Sequence, residues 1–117
     1  MITIDSQDAA LFELTFAGQL TREDYDVVMP VLEKAIAEHG KLRLLARFDQ
    51  LESVSPGAML ADLHWDWKHR HDVEKCAAVV HGKWMELGTK AVALIYSGEV
   101  KTFEPEQLDQ ARQWLRT

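Results

Sequence analysis

The chain has 117 residues, of which 47% are hydrophobic and 27% charged, and this balance predicts one globular domain over residues 1–117. Thirteen basic and nineteen acidic side chains give a net charge of -6, which repels phosphates and argues against nucleic acid as a partner. Cys76 is the only cysteine, so an internal disulfide is excluded. We expect a cytoplasmic protein, because the sequence lacks a secretory signal pattern and any apolar run long enough for a membrane span.

The N-terminal third predicts a β-hairpin followed by a helix. Residues 1–4 and residues 11–17 have strand patterns and are separated by a polar turn. Thr21 and Asp24 have the spacing of a capping box, and apolar side chains then recur at helical intervals as far as Gly40. We therefore expect two antiparallel strands and one long helix.

The middle of the chain predicts a strand, a helix and a second strand. Residues 42–48 and residues 75–81 are the two apolar strand segments. Between them, Ser55 is the expected N-cap of a helix that has Pro56 in its first turn and ends near position 69. The expected inner face of this second helix consists of Leu60, Leu63 and Trp67.

The C-terminal part predicts a helix, a strand and a final helix. Residues 82–95 favour a helix, although the run AVALIY also suits a strand. Residues 99–103 form the expected last strand, and Pro105 opens a helix with an apolar inner face. The order predicts an α/β fold: a single-domain, mostly parallel sheet with an antiparallel N-terminal hairpin and about four helices.

Several segments together resemble one protein family. They are the run GQLTREDYDVVMPVLEKAI, the strand KLRLLARF, the helix with paired tryptophans, the segment AAVVHGKW and the ending EVKTFEPEQLDQARQWL. These segments resemble the SpoIIAA-like proteins of the STAS superfamily over nearly the whole chain. The resemblance implies the SpoIIAA type of βα fold, and it concerns core and cap positions that specify structure rather than chemistry.

The resemblance also implies a function and a modification site. The better understood STAS domains are regulatory binding modules with a phosphorylatable serine where the second helix begins. Ser53 and Ser55 are the serines of this chain in that region, and they are the candidate phosphorylation sites. The chain has E-S-V-S-P-G where those domains have a D-S-S-G run, and the local pattern alone assigns Ser55 to helix capping.

The second helix is the predicted binding surface. Trp65 lies off the stripe of the expected inner face, so we expect it on a partly exposed face together with Met59. A protein partner, a small apolar ligand or a second copy of the chain could cover that face. The predicted ligand or partner surface consists of Ser55, Met59, Trp65 and His69.

Two alternatives to a non-enzymatic binding module remain at this stage. The first is a small enzyme whose site is built from the cluster HWDWKHRHD, from His64 to Asp72. Its histidines lack the spacing that clamps a metal on a helix, and no nucleotide or other cofactor motif is present, so we expect neither a metal nor a cofactor. Cys76 and His81 would point to opposite faces of a strand and form no nucleophile pair. The second alternative is a self-associating structural domain.

Overall fold

The computed structural model describes residues 1–8, 10–80 and 96–117. Within these ranges the chain forms five strands, three α-helices and one 3-10 turn. The elements are β1 (Ile2–Asp8), β2 (Leu11–Leu20), α1 (Arg22–His39), β3 (Leu42–Val54), α2 (Pro56–Lys68), β4 (Val73–Val79), β5 (Glu99–Phe103), the 3-10 turn (Pro105–Gln107) and α3 (Leu108–Leu115).

The strands form a single five-stranded sheet in the order β1-β2-β3-β4-β5. β1 pairs antiparallel with β2, and the other three pairs are parallel. This confirms the predicted α/β fold with a mostly parallel sheet and an N-terminal hairpin. The predicted helix over 82–95, with its Trp84, lies outside the described residues, so three of the expected four helices are seen.

The helices cover both faces of the sheet. α1 and α2 pack on one face over a core of apolar side chains that includes Phe12, Leu14, Phe16 and Leu44. α3 packs on the opposite face, where Ala111 and Leu115 are buried against β3 and β4. No helix in the described ranges is long and apolar enough to span a membrane.

α1 begins after Thr21 and ends before Gly40, as the sequence predicts. The Asp24 carboxylate accepts hydrogen bonds from the Thr21 amide at 2.9 Å and from the Thr21 hydroxyl at 3.1 Å, which are contacts of a capping box. At the other end Gly40 has φ +84°, a conformation that glycine adopts without strain. The capping prediction is therefore confirmed.

β3 is longer than the apolar pattern predicts, and β4 begins and ends two residues earlier than predicted. β3 continues to Val54 instead of ending at Phe48, because its parallel pairing with β2 persists up to the Leu20–Val54 pair. β4 ends at Val79, where its pairing with Phe103 of β5 also ends. The long β3 delivers the chain directly to the start of α2.

Candidate functional site

Helix α2 is anchored at both ends by its own backbone and side chains. The Ser55 hydroxyl oxygen accepts a hydrogen bond from the Ala58 amide at 3.1 Å, and Pro56 occupies the first turn. At the C-terminal end, the His69 amide donates to the Trp65 carbonyl at 2.9 Å. The predicted N-cap is confirmed, and so is the extent of the helix to within one residue.

The rotation of α2 about its axis differs from the prediction. The side chains expected to face inward, Leu60, Leu63 and Trp67, are exposed. Trp65, expected on a partly exposed face, is only 6% exposed and belongs to the main core. The inner face instead carries Ala58, Trp65, Asp66 and His69, because polar partners elsewhere in the fold satisfy its carboxyl and imidazole groups.

The outward rotation creates an apolar surface. We call it the outer stripe of α2, and it consists of Met59, Leu60, Leu63 and Trp67. Each of these side chains is between 50% and 69% exposed. The guanidinium of Arg70 lies 4.4 Å from the centre of the Trp67 ring, which holds a positive charge at one end of the stripe. Large apolar side chains clustered on one helix face indicate an interaction site more strongly than single exposed ones do.

The predicted surface residues do not lie on one common surface. Met59 is exposed and belongs to the outer stripe, whereas Trp65 and His69 are buried. Ser55 is half-buried at the helix start, and Ser53 is exposed near the end of β3. Phosphorylation of either serine stays a prediction, and Ser53 offers the more accessible hydroxyl.

Replacing Ser55 with alanine should remove the cap hydrogen bond and lower the free energy of unfolding by about 1 kcal/mol. The matched control is Ser53→Ala, which removes an exposed hydroxyl that caps no helix and should change stability by less than about 0.5 kcal/mol. Urea denaturation of both variants measures the difference. Equal stabilities would show that the Ser55 cap contributes nothing to α2.

The histidines of the 64–72 cluster are directed to different places. His69 Nδ1 lies 2.9 Å from Asp72 Oδ2, and its Nε2 lies 3.4 Å from Glu33 Oε1 on α1. His71 Nδ1 lies 3.0 Å from the Ser97 hydroxyl, and His64 is exposed. Across the described part of the chain, no group of three or more His, Cys, Asp or Glu side chains is placed to hold a metal ion.

A polar cluster lies beneath α2, with Asp62 half-buried and the other three groups buried, and sequence reasoning missed it. The Tyr25 hydroxyl of α1 donates to Asp62 Oδ1 at 3.1 Å, and the Tyr96 hydroxyl donates to Asp66 Oδ1. The two carboxyl groups, one helical turn apart on α2, also hydrogen-bond to each other. The result is a chain of four groups, Tyr25–Asp62–Asp66–Tyr96, which we call the carboxyl–tyrosine cluster.

Burial controls the protonation of this cluster. Burial, followed by the negative charge of Asp62, raises the pKa of Asp66 to about 8. Burial also raises the pKa of Asp62, and this effect is larger than the lowering by its hydrogen bonds with Asp66 and Tyr25. The pKa values of both tyrosines are raised by burial and by the neighbouring carboxylates, so the phenols stay protonated as donors. The carboxyl pair therefore holds a shared proton near pH 7.

The cluster forms one wall of a cavity of about 90 Å³ between the sheet and the two helices α1 and α2. Cys76 contributes to the same lining from β4, and burial raises the pKa of its thiol to about 12, so it is a neutral thiol there. The indole of Trp65 is another wall. Its Nε1 has no hydrogen-bond partner among the described residues, although it is fully buried.

One sequence signal could have indicated this site. Asp62 and Asp66 stand four residues apart in a mostly apolar helix, and Trp65 lies between them in sequence on the same side. Two aspartates on the face of a buried tryptophan predict a paired-carboxyl site in the core. Tyr25 and Tyr96 carry no such signal, because they are distant from α2 in sequence and only the tertiary fold brings them there.

Comparisons with known proteins agree with this fold. The SpoIIAA-like family matches residues 11–116 of the chain. An uncharacterized protein with a SpoIIAA-like fold from Shewanella loihica is 30% identical, with a TM-score of 0.81 over 98% of this chain and 92% of that one. The anti-sigma factor antagonist SpoIIAA, in its unphosphorylated form, aligns with a TM-score of 0.68 at 11% identity, over 97% of this chain and 98% of that one. No curated protein sequence matches the chain.

Proposed function

Because this chain belongs to the SpoIIAA-like family, we propose that it is a regulatory binding module that engages a protein partner through the outer stripe of α2. The observation that carries the proposal is the exposure of four large apolar side chains on one face of this helix. The fold is that of SpoIIAA, an anti-sigma factor antagonist, and this likeness supports regulation by binding rather than by catalysis. We propose a bacterial cytoplasmic setting for this activity.

The chemistry of the outer stripe defines the partner. Met59 and Trp67 are side-chain types enriched at the centres of protein interfaces, and Leu63 lies between them on the helix. Lys68 and Arg70 border the C-terminal end of the stripe and are positively charged, although the chain as a whole is acidic. The stripe therefore suits a partner with an apolar helix or groove flanked by acidic side chains.

A paired substitution tests this proposal. Leu63→Asp places a charge at the middle of the outer stripe, and Val27→Asp places the same charge at an exposed valine of α1 outside the stripe. Both positions are exposed, so both variants should fold. Proteins that co-purify with the wild type are identified by mass spectrometry, purified, and measured one by one by calorimetry against the wild type and both variants.

The expected partner binds the wild type and Val27→Asp equally, and binds Leu63→Asp about 30-fold more weakly or worse, because a buried unpaired charge disrupts an apolar interface. If every co-purifying protein binds Leu63→Asp as well as it binds the wild type, the proposal is wrong. Size-exclusion chromatography over a concentration series tests self-association. A dimer that Leu63→Asp dissociates would assign the stripe to a second copy of the chain instead.

A further inference from the structure

A groove of about 360 Å³ lies on the α3 face of the sheet, where the first residues of β2, β3 and β4 approach the end of α3. Its volume falls in the range of small-molecule binding sites. The lining includes three positively charged side chains, one carboxylate and two leucines, namely Lys41, Arg43, Arg116, Glu74, Leu11 and Leu115. We call it the basic groove. It is separate from the outer stripe of α2, because α2 and α3 pack on opposite faces of the sheet.

The basic groove has an excess of positive charge, although the protein as a whole is acidic. Its carboxylate is already paired, since Arg43 Nε donates to Glu74 Oε2 at 3.1 Å. This hydrogen bond and the positive charge of Arg43 hold the pKa of Glu74 below its ordinary value, so the carboxylate is ionised at pH 7. Lys41 and Arg116 are exposed, and neither forms an ion pair with any of the described residues. Three positive charges against one negative charge leave a net charge of +2 in the lining.

Arg43 is held in a fixed orientation at the wall of the basic groove. Its Nε donates to Glu74, and its Nη1 donates to the Leu115 carbonyl at the end of α3. Its Nη2 has no acceptor within the part of the chain that the structure describes, and 26% of the side chain is exposed. A guanidinium that the protein already orients loses little conformational entropy when it binds a further anion. Arg43 is therefore a preorganised anion-binding group.

The negative end of the α3 dipole is neutralised by donors from the sheet. Carbonyl oxygens at a helix C-terminus have a partial negative charge and would repel an anion. Here the Leu115 carbonyl accepts from Arg43, and the Trp114 carbonyl accepts from the Thr117 amide at 3.2 Å and from Lys75 Nζ at 3.4 Å. Repulsion from the net charge of -6 is largely screened beyond about 8 Å at physiological ionic strength. The local excess of positive charge therefore decides which ligand the groove attracts.

The lining favours a particular class of anion. Phosphate groups are typically bound by backbone N–H groups at a helix N-terminus, whereas this groove adjoins a helix C-terminus and offers side-chain cations. Planar guanidinium groups match carboxylates, and an inorganic ion would occupy only a small part of the groove. We propose that the basic groove is a binding site for a small organic dicarboxylate, whose two carboxylates pair with Arg43, Lys41 and Arg116. Because this site and the outer stripe lie on opposite faces of the sheet, its failure would leave the proposed protein docking unaffected.

Titration of the isotope-labelled protein with glutarate at pH 7, followed by amide NMR, tests the proposal. Glutaramide has the same carbon chain without charge, butyrate has a single carboxylate, and sulfate is an inorganic dianion. We expect saturable shifts of the Leu11, Arg43 and Glu74 amide signals with glutarate, affinities for butyrate and sulfate that are weaker by about 10-fold, and no saturable shifts with glutaramide. No saturable binding of glutarate would overturn the proposal. Equal affinities for glutarate and sulfate would indicate an adventitious ion only and would also overturn it.

Two charge changes of opposite effect locate the site. Lys41→Gln removes one cation and should weaken glutarate binding about 5-fold. Glu74→Gln removes the negative charge of the lining, keeps an oxygen acceptor for Arg43 and should tighten glutarate binding about 5-fold. A gain in affinity cannot arise from partial unfolding, so this variant separates binding from stability. Lys34→Gln is the matched control, because Lys34 is exposed on α1 and should leave the affinity unchanged. Equal losses in Lys34→Gln and Lys41→Gln, or a Glu74→Gln protein that binds glutarate no more tightly than the wild type, would overturn the assignment.

Discussion

Asp66→Asn is expected to stabilise the protein at pH 8 and to flatten the dependence of its stability on pH. In the wild type, burial holds the pKa of Asp66 near 8, whereas an unfolded aspartate titrates near its ordinary value of 3.8. Between these two values the folded state binds more protons than the unfolded state, so the free energy of unfolding falls as pH rises. The stability that the protonated group contributes is fully present below pH 3.8 and is lost as pH passes through about 8.

The expected magnitude is large for one side chain. When the folded state binds one proton more than the unfolded state, the free energy of unfolding falls by about 1.4 kcal/mol per pH unit. The free energy of unfolding of the wild type should therefore fall by about 3 to 4 kcal/mol between pH 5 and pH 8, relative to that of Asp66→Asn. Urea denaturation at several pH values across this window measures both proteins. Asp26→Asn is the matched control, because Asp26 is exposed on α1. Parallel pH profiles for the wild type and Asp66→Asn would contradict the assignment of a protonated Asp66.

This destabilisation is informative about function. A carboxylic acid that lowers stability near pH 7 is a poor structural choice for a core position, where an apolar side chain would pack without cost. Buried acids with strongly shifted pKa values concentrate at binding and catalytic sites. The carboxyl–tyrosine cluster is thus a functional candidate on physical grounds that are independent of the outer stripe.

The sequence predicts those parts of the fold that depend on nearby residues. The N-cap at Ser55 and the capping box at Thr21 are confirmed, because each depends on contacts within three positions. The mostly parallel sheet with an antiparallel N-terminal hairpin is confirmed, because a helix between two strands favours a parallel crossover and a short turn favours an antiparallel pair. These features need only local spacing and general rules of chain connection.

The rotation of α2 could not be predicted from apolar spacing. Two apolar stripes compete on this helix, and the one with more leucine, containing Leu60 and Leu63, lies outside. The other is buried because Asp62 and Asp66 find donors in Tyr25 and Tyr96, which are 37 and 30 positions away. Hydrophobic periodicity treats an aspartate as an outward signal, and it contains no information on distant partners that make its burial possible.

Gly98→Ala should destabilise the fold more than any exposed substitution, because the chain passes very close to β4 at this glycine. A Cβ atom at position 98 would lie 2.4 Å from the carbonyl oxygens of Val73 and Glu74, well inside van der Waals contact. These are backbone atoms at the start of β4, which pairs with both β3 and β5 and cannot move without breaking hydrogen bonds. We expect a loss of about 3 kcal/mol.

Gly57→Ala is the matched control for this prediction. A Cβ atom at position 57 would meet Arg22 Cβ at 3.6 Å, an ordinary contact, and alanine in the first turn of α2 favours the helix by up to about 1 kcal/mol. Thermal unfolding followed by circular dichroism should therefore show a lower Tm for Gly98→Ala, by about 10 °C, and an unchanged or higher Tm for Gly57→Ala. Similar Tm values for the two variants would mean that β5 can separate from β4 at little cost. The close approach of Gly98 to β4 would then not be required for the chain to enter β5.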